Sequence, residues 1–392
     1  MRNASNMAST LPWEAWLDPE HPDPLPALAT AARRRRLEDS LGDVVHDRHG
    51  AVALVVSAPA NVRWASGFTG SNGWLLVLPT GSVLLTDHRY LGRAATECPG
   101  LEVAVTRSFI EVASARAAAA GVASLVFEDD HVTHRQGVQL HANAIDDGLR
   151  GAVAATGIVE RERQCKDPAE LARLARACAI TDAALDAVLA GGLVGRTERS
   201  VAAALEDAFR ARGAQVGFES IVAAGPNGAV PHHAPTDRAI GAGELVTIDC
   251  GARVDGYHAD TTRTVAAGRV PTPELARVFE AVAVAQQRGV DVVRHGIEAR
   301  QVDAACRDYL ASQGLGEAFL HGTGHGVGLD IHEAPAVAAT STATLRPRTA
   351  LTVEPGVYLP GKGGVRIEDT LVVRDVGPAR CLTHAPRSLQ VV

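Results

Sequence analysis

Short apolar runs separated by turn residues predict an α/β arrangement in the first half of the chain. Val52–Val56 is a compact apolar run with the length of a buried strand. Residues 74–78 and 82–85 are two more such runs, and only Pro-Thr-Gly separates them, which predicts a hairpin. Further strands are predicted at residues 101–105 and 125–127, and helices at residues 29–41 and 110–120.

Longer periodic segments dominate the second half and predict an α+β domain. Residues 160–167 are charged and have little to bury, so we place a domain junction there. A helix is predicted after it, because Asp167 can cap it, Pro168 suits its first turn and Glu170 completes a capping box. We expect the helices to cover one face of an antiparallel sheet. Other helices are predicted at residues 198–211, 273–294 and 299–313, and strands at 245–248, 262–265, 351–353 and 365–373.

The length of 392 residues exceeds what one hydrophobic core usually organises, so we expect two domains. The predicted plan begins with a poorly ordered, proline-rich tail at residues 1–28. A smaller α/β domain follows at residues 29–158, and a larger α+β domain occupies residues 165–385. The fold class of the chain is therefore predicted to be α+β.

Composition and charge narrow the classes of function. Hydrophobic residues make up 46% and charged residues 21% of the chain, and the formal net charge is -7. This charge gives no electrostatic reason to expect a nucleic acid or an acidic membrane as partner, and we interpret the basic run at residues 33–36 as a solvated helix face. The six cysteines form no CxxC pair, and no apolar stretch suits a secretion signal or a membrane span. We therefore expect a cytoplasmic protein with reduced thiols.

The candidate chemistry lies in acids and histidines near strand ends of the second half. Asp249 follows the strand at 245–248, and Asp260 starts the next strand pattern after a turn at Asp255 and Gly256. A hairpin would bring the carboxylates of Asp249 and Asp260 together, where they repel each other unless a proton or a cation lies between them. Spacing alone leaves a second interpretation open, in which both are turn acids at a sheet edge.

Residues 321–333 combine alternating glycines with three histidines, His321, His325 and His332. Glycine permits close backbone approach and positive φ, which an ordered core strand does not need, so we predict a functional site in this segment. The segment is not a HExxH helix, so it does not support a zincin arrangement.

Two further acids complete the candidate set. Glu354 follows the apolar run at residues 351–353, and a buried carboxylate needs a partner. Arg366 and Glu368 are two apart on a predicted strand and share one face, so Arg366 is expected to steady Glu368. A surface ion pair is the alternative interpretation of that fragment.

Four carboxylates and one imidazole make an oxygen-rich metal site. Such a set favours two divalent ions, with Mn first, Co or Fe as alternatives and Zn less favoured. Bridging carboxylates would account for a dinuclear centre, which acidifies a water and polarises a carbonyl. The members of the set are Asp249, Asp260, His325, Glu354 and Glu368.

The same segments resemble the M24 family of metallopeptidases, which have the pita-bread fold. The resemblance covers most of residues 165–385 and implies a pita-bread catalytic domain whose five acid and histidine positions bind two metals. The matching elements are Asp249-Cys-Gly, Asp260-Thr-Thr-Arg, His325-Gly-Val-Gly-Leu, His332-Glu333, Glu354-Pro-Gly and Arg366-Ile-Glu368-Asp.

The first half resembles the creatinase/prolidase N-terminal domain. The similarity rests on Gly-Phe-Thr-Gly-Ser-Asn-Gly at residues 67–73 and Leu-Leu-Thr-Asp-His-Arg-Tyr at residues 84–90. Methionine aminopeptidases lack this domain, so the resemblance implies the proline-specific branch of Xaa-Pro aminopeptidases and Xaa-Pro dipeptidases. It also implies a homodimer or a homotetramer.

The metal-binding roles come from the resemblance alone. It implies that Asp249 binds one metal, and that His325 and Glu354 bind the other. Asp260 and Glu368 would bridge the two ions, and Glu354 would also carry protons to and from the attacking water.

The resemblance implies catalytic and substrate-binding roles for further residues. His332 would steady the carbonyl oxygen and the tetrahedral intermediate, and Arg366 would support the site. His232 would reach the substrate near the proline, with His233 as the less favoured member of that pair. His321 would shape the proline pocket.

The implied reaction is hydrolysis of the bond between an N-terminal residue and proline in a peptide substrate. An Xaa-Pro dipeptidase restricted to dipeptides is the alternative within the family. A creatinase-like C–N hydrolase would lack the full metal set, and a non-catalytic peptidase-like binding protein would hold no metal. These are the alternatives outside the peptidases.

Overall fold

The computed structural model describes residues 12–45 and 50–392. Internal contacts separate two units. One unit spans Ala27–Arg163, and the other contains Gln164–Val392 together with the described residues up to Pro26. Among the described residues, no helix combines the length and the apolar character needed to cross a bilayer.

A mixed six-stranded sheet organises the N-terminal unit. Its strands are β1 (Val52–Val56), β2 (Gly73–Leu78), β3 (Gly81–Thr86), β4 (Glu102–Val105), β5 (Ser124–Glu128) and β6 (Ala152–Ala155). Its helices are α1 (Thr30–Val45), α2 (Pro59–Ser66), α3 (Leu91–Glu97), α4 (Phe109–Ala119), α5 (His134–Asp146) and α6 (Ile158–Arg163). The strand order is β4-β3-β2-β1-β5-β6, with an antiparallel β2–β3 hairpin and a parallel β1–β5 pair. The predicted hairpin is confirmed.

Four long helices and several short antiparallel strands build the C-terminal unit. The helices are α7 (Pro168–Leu189), α8 (Glu198–Ala211), α9 (Pro273–Val292) and α10 (Ala299–Ser312). The strands are β7 (Gln215–Val216), β8 (Ile221–Ala224), β9 (Leu245–Cys250), β10 (Ala252–Val254), β11 (Tyr257–His258), β12 (Thr261–Ala266), β13 (Gly324–Gly326), β14 (Glu333–Val337), β15 (Ala350–Val353), β16 (Gly356–Leu359), β17 (Gly363–Arg366), β18 (Asp369–Val372) and β19 (Arg380–Cys381).

Short 3-10 helices occur in both units, at Pro12–Leu17, His88–Tyr90, Gly225–Ala229 and Gly316–Ala318.

The strands of this unit form small sheets rather than the single sheet that the sequence pattern predicted. The sheet orders are β12-β9-β8, β11-β10-β7, β14-β13-β15-β18-β19 and β16-β17. Helices α7 and α8 pack their apolar residues with β8, β9 and β12, whereas α9 and α10 pack with β15, β17 and β18. Two apolar cores therefore support the strand ends that carry the candidate site. The α+β class is confirmed.

Local capping signals placed the start of α7 correctly. Asp167 Oδ1 accepts from the backbone N–H of Glu170 at 3.0 Å, and Glu170 Oε2 accepts from the backbone N–H of Asp167 at 2.9 Å. This reciprocal pair satisfies two helix-end donors, as a capping box does.

The single strand predicted at residues 365–373 is wrong. β17 pairs with β16 and β18 pairs with β15, so the chain changes sheets at Ile367 and Glu368. At this crossing, the backbone N–H of Glu368 donates to Thr262 O at 3.0 Å. The change of sheet frees the Glu368 side chain from a strand face and turns it toward the candidate site.

Two predictions about polar segments also need correction. Arg33 is fully buried instead of solvated: its Nη1 donates to Trp64 O at 2.9 Å, and its guanidinium lies 5.3 Å from the centroid of that ring. In the predicted junction, Arg163 and Lys166 are buried, and Lys166 Nζ lies 2.7 Å from Glu333 Oε2. Both segments bury charge because an ion pair or a carbonyl acceptor is available.

The segment predicted as a poorly ordered tail divides into two parts. Residues 1–11 lie outside the described residues. Residues 12–26 belong to the C-terminal unit, where the 3-10 helix Pro12–Leu17 packs against α7 and Trp13 is 1% exposed. Arg173 of α7 also donates from Nη1 to Pro26 O at 2.8 Å. The described part of this segment therefore contradicts the prediction.

Replacement of Trp13 by Ala tests whether this segment stabilises the C-terminal unit. Loss of a buried tryptophan should lower the free energy of unfolding by about 3 kcal/mol or more, measured by urea denaturation. Glu14→Ala in the same short helix is the control, because its ion pair with Arg380 is partly exposed and should contribute less than about 1 kcal/mol. Equal effects of the two variants would contradict this assignment.

Candidate active site

A β-hairpin positions the two aspartates. β9 and β12 pair in antiparallel register, and the intervening turn places Asp255 at φ 43° and Gly256 at φ 80°. Asp249 lies near the end of β9, and Asp260 directly precedes β12. Both side chains line one cavity of about 400 Å³. The alternative of two turn acids at a sheet edge does not describe this arrangement, because Asp260 is 5% exposed.

Three ligand-type side chains converge from separate segments beside this cavity. One donor atom from each of Asp260, His325 and Glu368 lies within 4.8 Å of the other two. His325 Nε2 lies 3.4 Å from Asp260 Oδ2 and 3.3 Å from Glu354 Oε1. Four of the five predicted ligands therefore lie close together. Asp260, Glu354 and Glu368 surround the Nε2 side of the His325 ring.

The orientation of the His325 ring suits a metal ligand. Its Nδ1 lies 2.9 Å from Gly326 O, and a carbonyl oxygen accepts only from a protonated nitrogen. Nε2 is then the nitrogen that faces the carboxylates, as in metal-ligating histidines with a backbone acceptor behind them. Burial lowers the pKa of His325, but the hydrogen bond and the charge of Glu354 outweigh burial and raise it overall.

The carboxylates repel one another in a buried setting. Burial first, and then the charges of neighbouring acids, raise the pKa of Asp260 and Glu368 well above their usual values. Burial also raises the pKa of Asp249, although Arg366 opposes it. For Glu354, burial raises the pKa, but the hydrogen bond and charge of His325 lower it overall.

Two buried oxygen atoms in this cluster lack a hydrogen-bond partner among the described residues. They are Asp249 Oδ1 and Glu368 Oε1. Buried oxygen atoms without donors are costly, and a divalent cation would satisfy them and relieve the repulsion between carboxylates. The donor set, the ring orientation of His325 and these two atoms therefore fit a divalent metal.

Arg366 has a different partner from the one predicted. Its Nη2 donates to Asp249 Oδ2 at 2.7 Å. It is linked to Glu368 through Thr262, whose Oγ1 accepts from Arg366 Nε at 3.2 Å and donates to Glu368 Oε2 at 2.7 Å. Arg366 is 3% exposed, so the surface ion pair is also wrong. The prediction failed because Arg366 ends β17 while Glu368 lies beyond that strand.

His321 is held by Tyr358, a residue that no pattern in the sequence indicated. Tyr358 Oη lies 2.9 Å from Arg366 Nη1 and 2.8 Å from His321 Nε2. Arginine only donates, so the tyrosine hydroxyl accepts from Arg366 and donates to His321. The His321 Nδ1–H then donates to Gly322 O at 2.7 Å. These bonds fix His321 as a neutral ring, and burial lowers its pKa.

The remaining predicted histidines face the same cavity, with one exception. His232, His321 and His332 all line it. The ring of His332 lies edge-on to His325 with centroids 4.3 Å apart, and burial followed by the charge of His325 lowers the pKa of His332. His233 instead contacts Glu198 at 2.9 Å through its Nε2.

The glycines of the 321–333 segment serve close backbone approach. A Cβ on Gly324 would lie 2.1 Å from Thr352 O, and one on Gly326 would lie 2.3 Å from Ala334 O. Contrary to the expectation about core strands, Gly324–Gly326 forms β13, and its glycines do not need positive φ. Close packing of β13 brings His325 to the carboxylates.

Fold and site together define the class of the protein: a candidate metalloenzyme with an α+β catalytic unit. Residues 172–375 match the metallopeptidase family M24, and residues 42–165 match the Creatinase/Prolidase N-terminal domain. The chain therefore belongs to metallopeptidase family M24, and the predicted family, the pita-bread fold and the metallo-exopeptidase class are confirmed.

Individual relatives agree with this assignment over nearly the whole chain. An uncharacterized peptidase of Bacillus subtilis is 36% identical over 345 residues, which cover 88% of this chain and 96% of that protein. The Xaa-Pro dipeptidase structure from Bacillus anthracis has a TM-score of 0.86 at 33% identity and covers 93% of this chain and 100% of its own. The X-Pro aminopeptidase structure from Thermotoga maritima has a TM-score of 0.81 at 32% identity, with 91% and 100% covered.

Metal removal tests the electrostatic description of the site. In the metal-free protein, the raised pKa of Asp260 and Glu368 means that the native state holds more protons than the unfolded state, so stability should fall as pH rises above about 4. Mn²⁺ should offset this loss, and at one hundred times its dissociation constant it should add about 3 kcal/mol in urea unfolding.

Asp260→Asn should remove most of the Mn²⁺ effect on stability. The control Asp207→Asn alters an exposed ion pair and should retain the full effect. Equal Mn²⁺ stabilisation of the two variants would contradict the proposed ligand role of Asp260.

Proposed function

We propose that this protein is a two-metal Xaa-Pro aminopeptidase, which hydrolyses the bond between an N-terminal residue and proline. The observation that carries the proposal is the meeting of Asp260, His325 and Glu368 beside a cavity that also contains His232 and His332. The two solved relatives named above are a proline-specific dipeptidase and a proline-specific aminopeptidase, which supports proline as the second residue.

The ligand set that we propose can hold two divalent ions, with Mn first, Co or Fe as alternatives and Zn less favoured. Bound there, the ions would supply Lewis acidity, which polarises the scissile carbonyl and acidifies the attacking water. Carboxylate oxygen atoms outnumber the one imidazole nitrogen, which favours such hard cations. The proposed ligands are Asp249, Asp260, His325, Glu354 and Glu368.

Glu354 is the proposed proton carrier. Its lowered pKa keeps the carboxylate ionised at neutral pH, so it can take a proton from the attacking water. The nitrogen of a proline peptide bond carries no hydrogen, and it must gain a proton before it leaves. Glu354 lines the cavity and is therefore placed to deliver that proton.

His332 and His232 are the proposed contacts with the substrate. The lowered pKa of His332 leaves a neutral ring at pH 7, which still has one N–H to donate to the developing oxyanion. His232 is exposed within the cavity and would contact the substrate near the proline, and His321 would form part of the proline pocket. Arg366 supports these contacts by holding Asp249 and Tyr358.

We also propose a homodimer or homotetramer in the cytoplasm, with peptides as partners and with neither nucleic acid nor membrane involved. All six cysteines are free thiols, which suits a reducing compartment. Light scattering of the purified protein measures the oligomeric state.

Substrate length separates the proposed aminopeptidase from the alternative dipeptidase. We expect cleavage of both Gly-Pro and a longer Xaa-Pro-Xaa peptide by the Mn²⁺-loaded protein, because the proposal places the recognised residues on the N-terminal side. Product release is measured by chromatography for each peptide. Cleavage of the dipeptide alone would support the dipeptidase, and cleavage of neither would contradict both.

A pair of variants separates catalysis from metal binding. His332→Ala should lower kcat by about 10²-fold or more, because one donor to the oxyanion is lost, while Mn²⁺ stabilisation stays unchanged. Asp260→Ala should lose both turnover and Mn²⁺ stabilisation. If His332→Ala retained full kcat, its proposed role would be wrong, and Asp207→Asn again serves as the unaffected control.

A further inference from the structure

One buried carboxylate joins the two ends of the loop that carries His232. Glu198, the first residue of α8, has no exposed surface and does not line the cavity. Its Oε1 accepts from the backbone N–H of Ala224 at 2.8 Å and from Asn227 Nδ2 at 2.9 Å. These two donors lie at the start of the loop at residues 224–236.

The other oxygen of Glu198 holds the end of the same loop. Oε2 accepts from the backbone N–H of Thr236 at 3.0 Å and from its Oγ1 at 2.6 Å. It also lies 2.9 Å from His233 Nε2, which must donate because an ionised carboxylate only accepts. Burial alone would raise the pKa of Glu198, but these hydrogen bonds, that of Thr236 first, lower it to about 2.

The loop between these ends reaches the active site at Pro231 and His232, which both line the cavity. Arg366 Nη1 donates to Pro231 O at 3.2 Å, directly before His232 in the chain. His233 is turned to Glu198, whereas His232 is exposed in the cavity. The bond to Glu198 holds His233 away from the cavity lining, and His232 is the member of the pair that lines it.

We propose that Glu198 is a positioning residue, whose carboxylate fixes the 224–236 loop so that His232 faces the substrate. The inference rests on the proposed function, because His232 contacts substrate only if that function is correct. An imidazole that is already fixed loses less conformational freedom when the substrate binds. The loss of Glu198 should therefore raise KM more than it lowers kcat.

A double-mutant cycle between Glu198→Gln and His232→Ala tests the proposal. Glu198→Gln should lower kcat/KM for an Xaa-Pro peptide about tenfold in the wild-type background, mainly through KM. In the His232→Ala background the same change should cost less than about twofold, because Glu198 acts through His232. A general structural role predicts equal factors in both backgrounds, and that result would overturn the proposal.

Amide hydrogen exchange tests the same loop without relying on activity. Glu198→Gln should speed exchange at Ala224 and Thr236, whose backbone N–H groups bind the carboxylate, and should leave Mn²⁺ stabilisation unchanged. Unchanged exchange at both amides would also overturn the proposal. The matched control is Glu128→Gln, a buried carboxylate of the N-terminal unit that accepts from two backbone N–H groups and lines no part of the cavity.

A milder variant covers the case in which Glu198→Gln does not fold. Thr236→Val removes one hydroxyl donor and leaves the Glu198 carboxylate in place. It is combined with His232→Ala in the same double-mutant cycle. Its effect on kcat/KM should again be smaller in the His232→Ala background than in the wild-type background. If the wild-type protein cleaves no Xaa-Pro peptide while exchange behaves as expected, the proposed function fails and the loop assignment stands. If it cleaves them with additive effects, only the positioning role fails.

Discussion

Repulsion among buried carboxylates is the constraint on which the C-terminal unit depends. Burial and neighbouring acids raise the pKa of Asp249, Asp260 and Glu368 together. Two nitrogen-bearing side chains offset part of this repulsion. Arg366 donates a hydrogen bond to Asp249, and His325 lies beside Glu354. Neither contact supplies a partner for Asp249 Oδ1 or Glu368 Oε1 among the described residues. In the metal-free protein, protons on Asp260 and Glu368 relieve part of this repulsion, and bound cations can take the place of those protons. This exchange is the physical link from fold to proposed chemistry.

The backbone brings the acids and His325 together through an interrupted strand and a glycine-rich strand. The chain leaves β17 at Arg366 and enters β18 at Asp369, which puts Glu368 between two sheets. A glycine strand lets His325 approach, because side chains at Gly324 and Gly326 would collide with neighbouring carbonyls. Behind these ligands, Arg263 and Asp369 form a buried ion pair at 2.7 Å. Arg263 also donates from Nη1 to the backbone oxygen of Glu368, so this motif residue holds the backbone that presents that acid.

Features that depend on neighbouring residues were predictable from the sequence, and those that depend on distant partners were not. The β2–β3 hairpin, the capping box of α7 and the acid–histidine motifs have local signals. The partner of Arg366 was missed because strand pairing, rather than spacing, decides it. Tyr358 and Glu198 had no local signal, since their contacts come from distant segments. The proline content of residues 12–26 led to the prediction of a poorly ordered tail. Trp13, a large apolar side chain in this segment, was the local signal for packing.

A crystal structure of the Mn²⁺-loaded protein, with anomalous data at the manganese edge, measures directly whether the buried acids and His325 bind metal ions. A dinuclear site predicts two anomalous peaks per chain, in contact with the carboxylates of Asp260 and Glu368 and with His325 Nε2. Data that place no ion within contact of these side chains at saturating Mn²⁺ would contradict it.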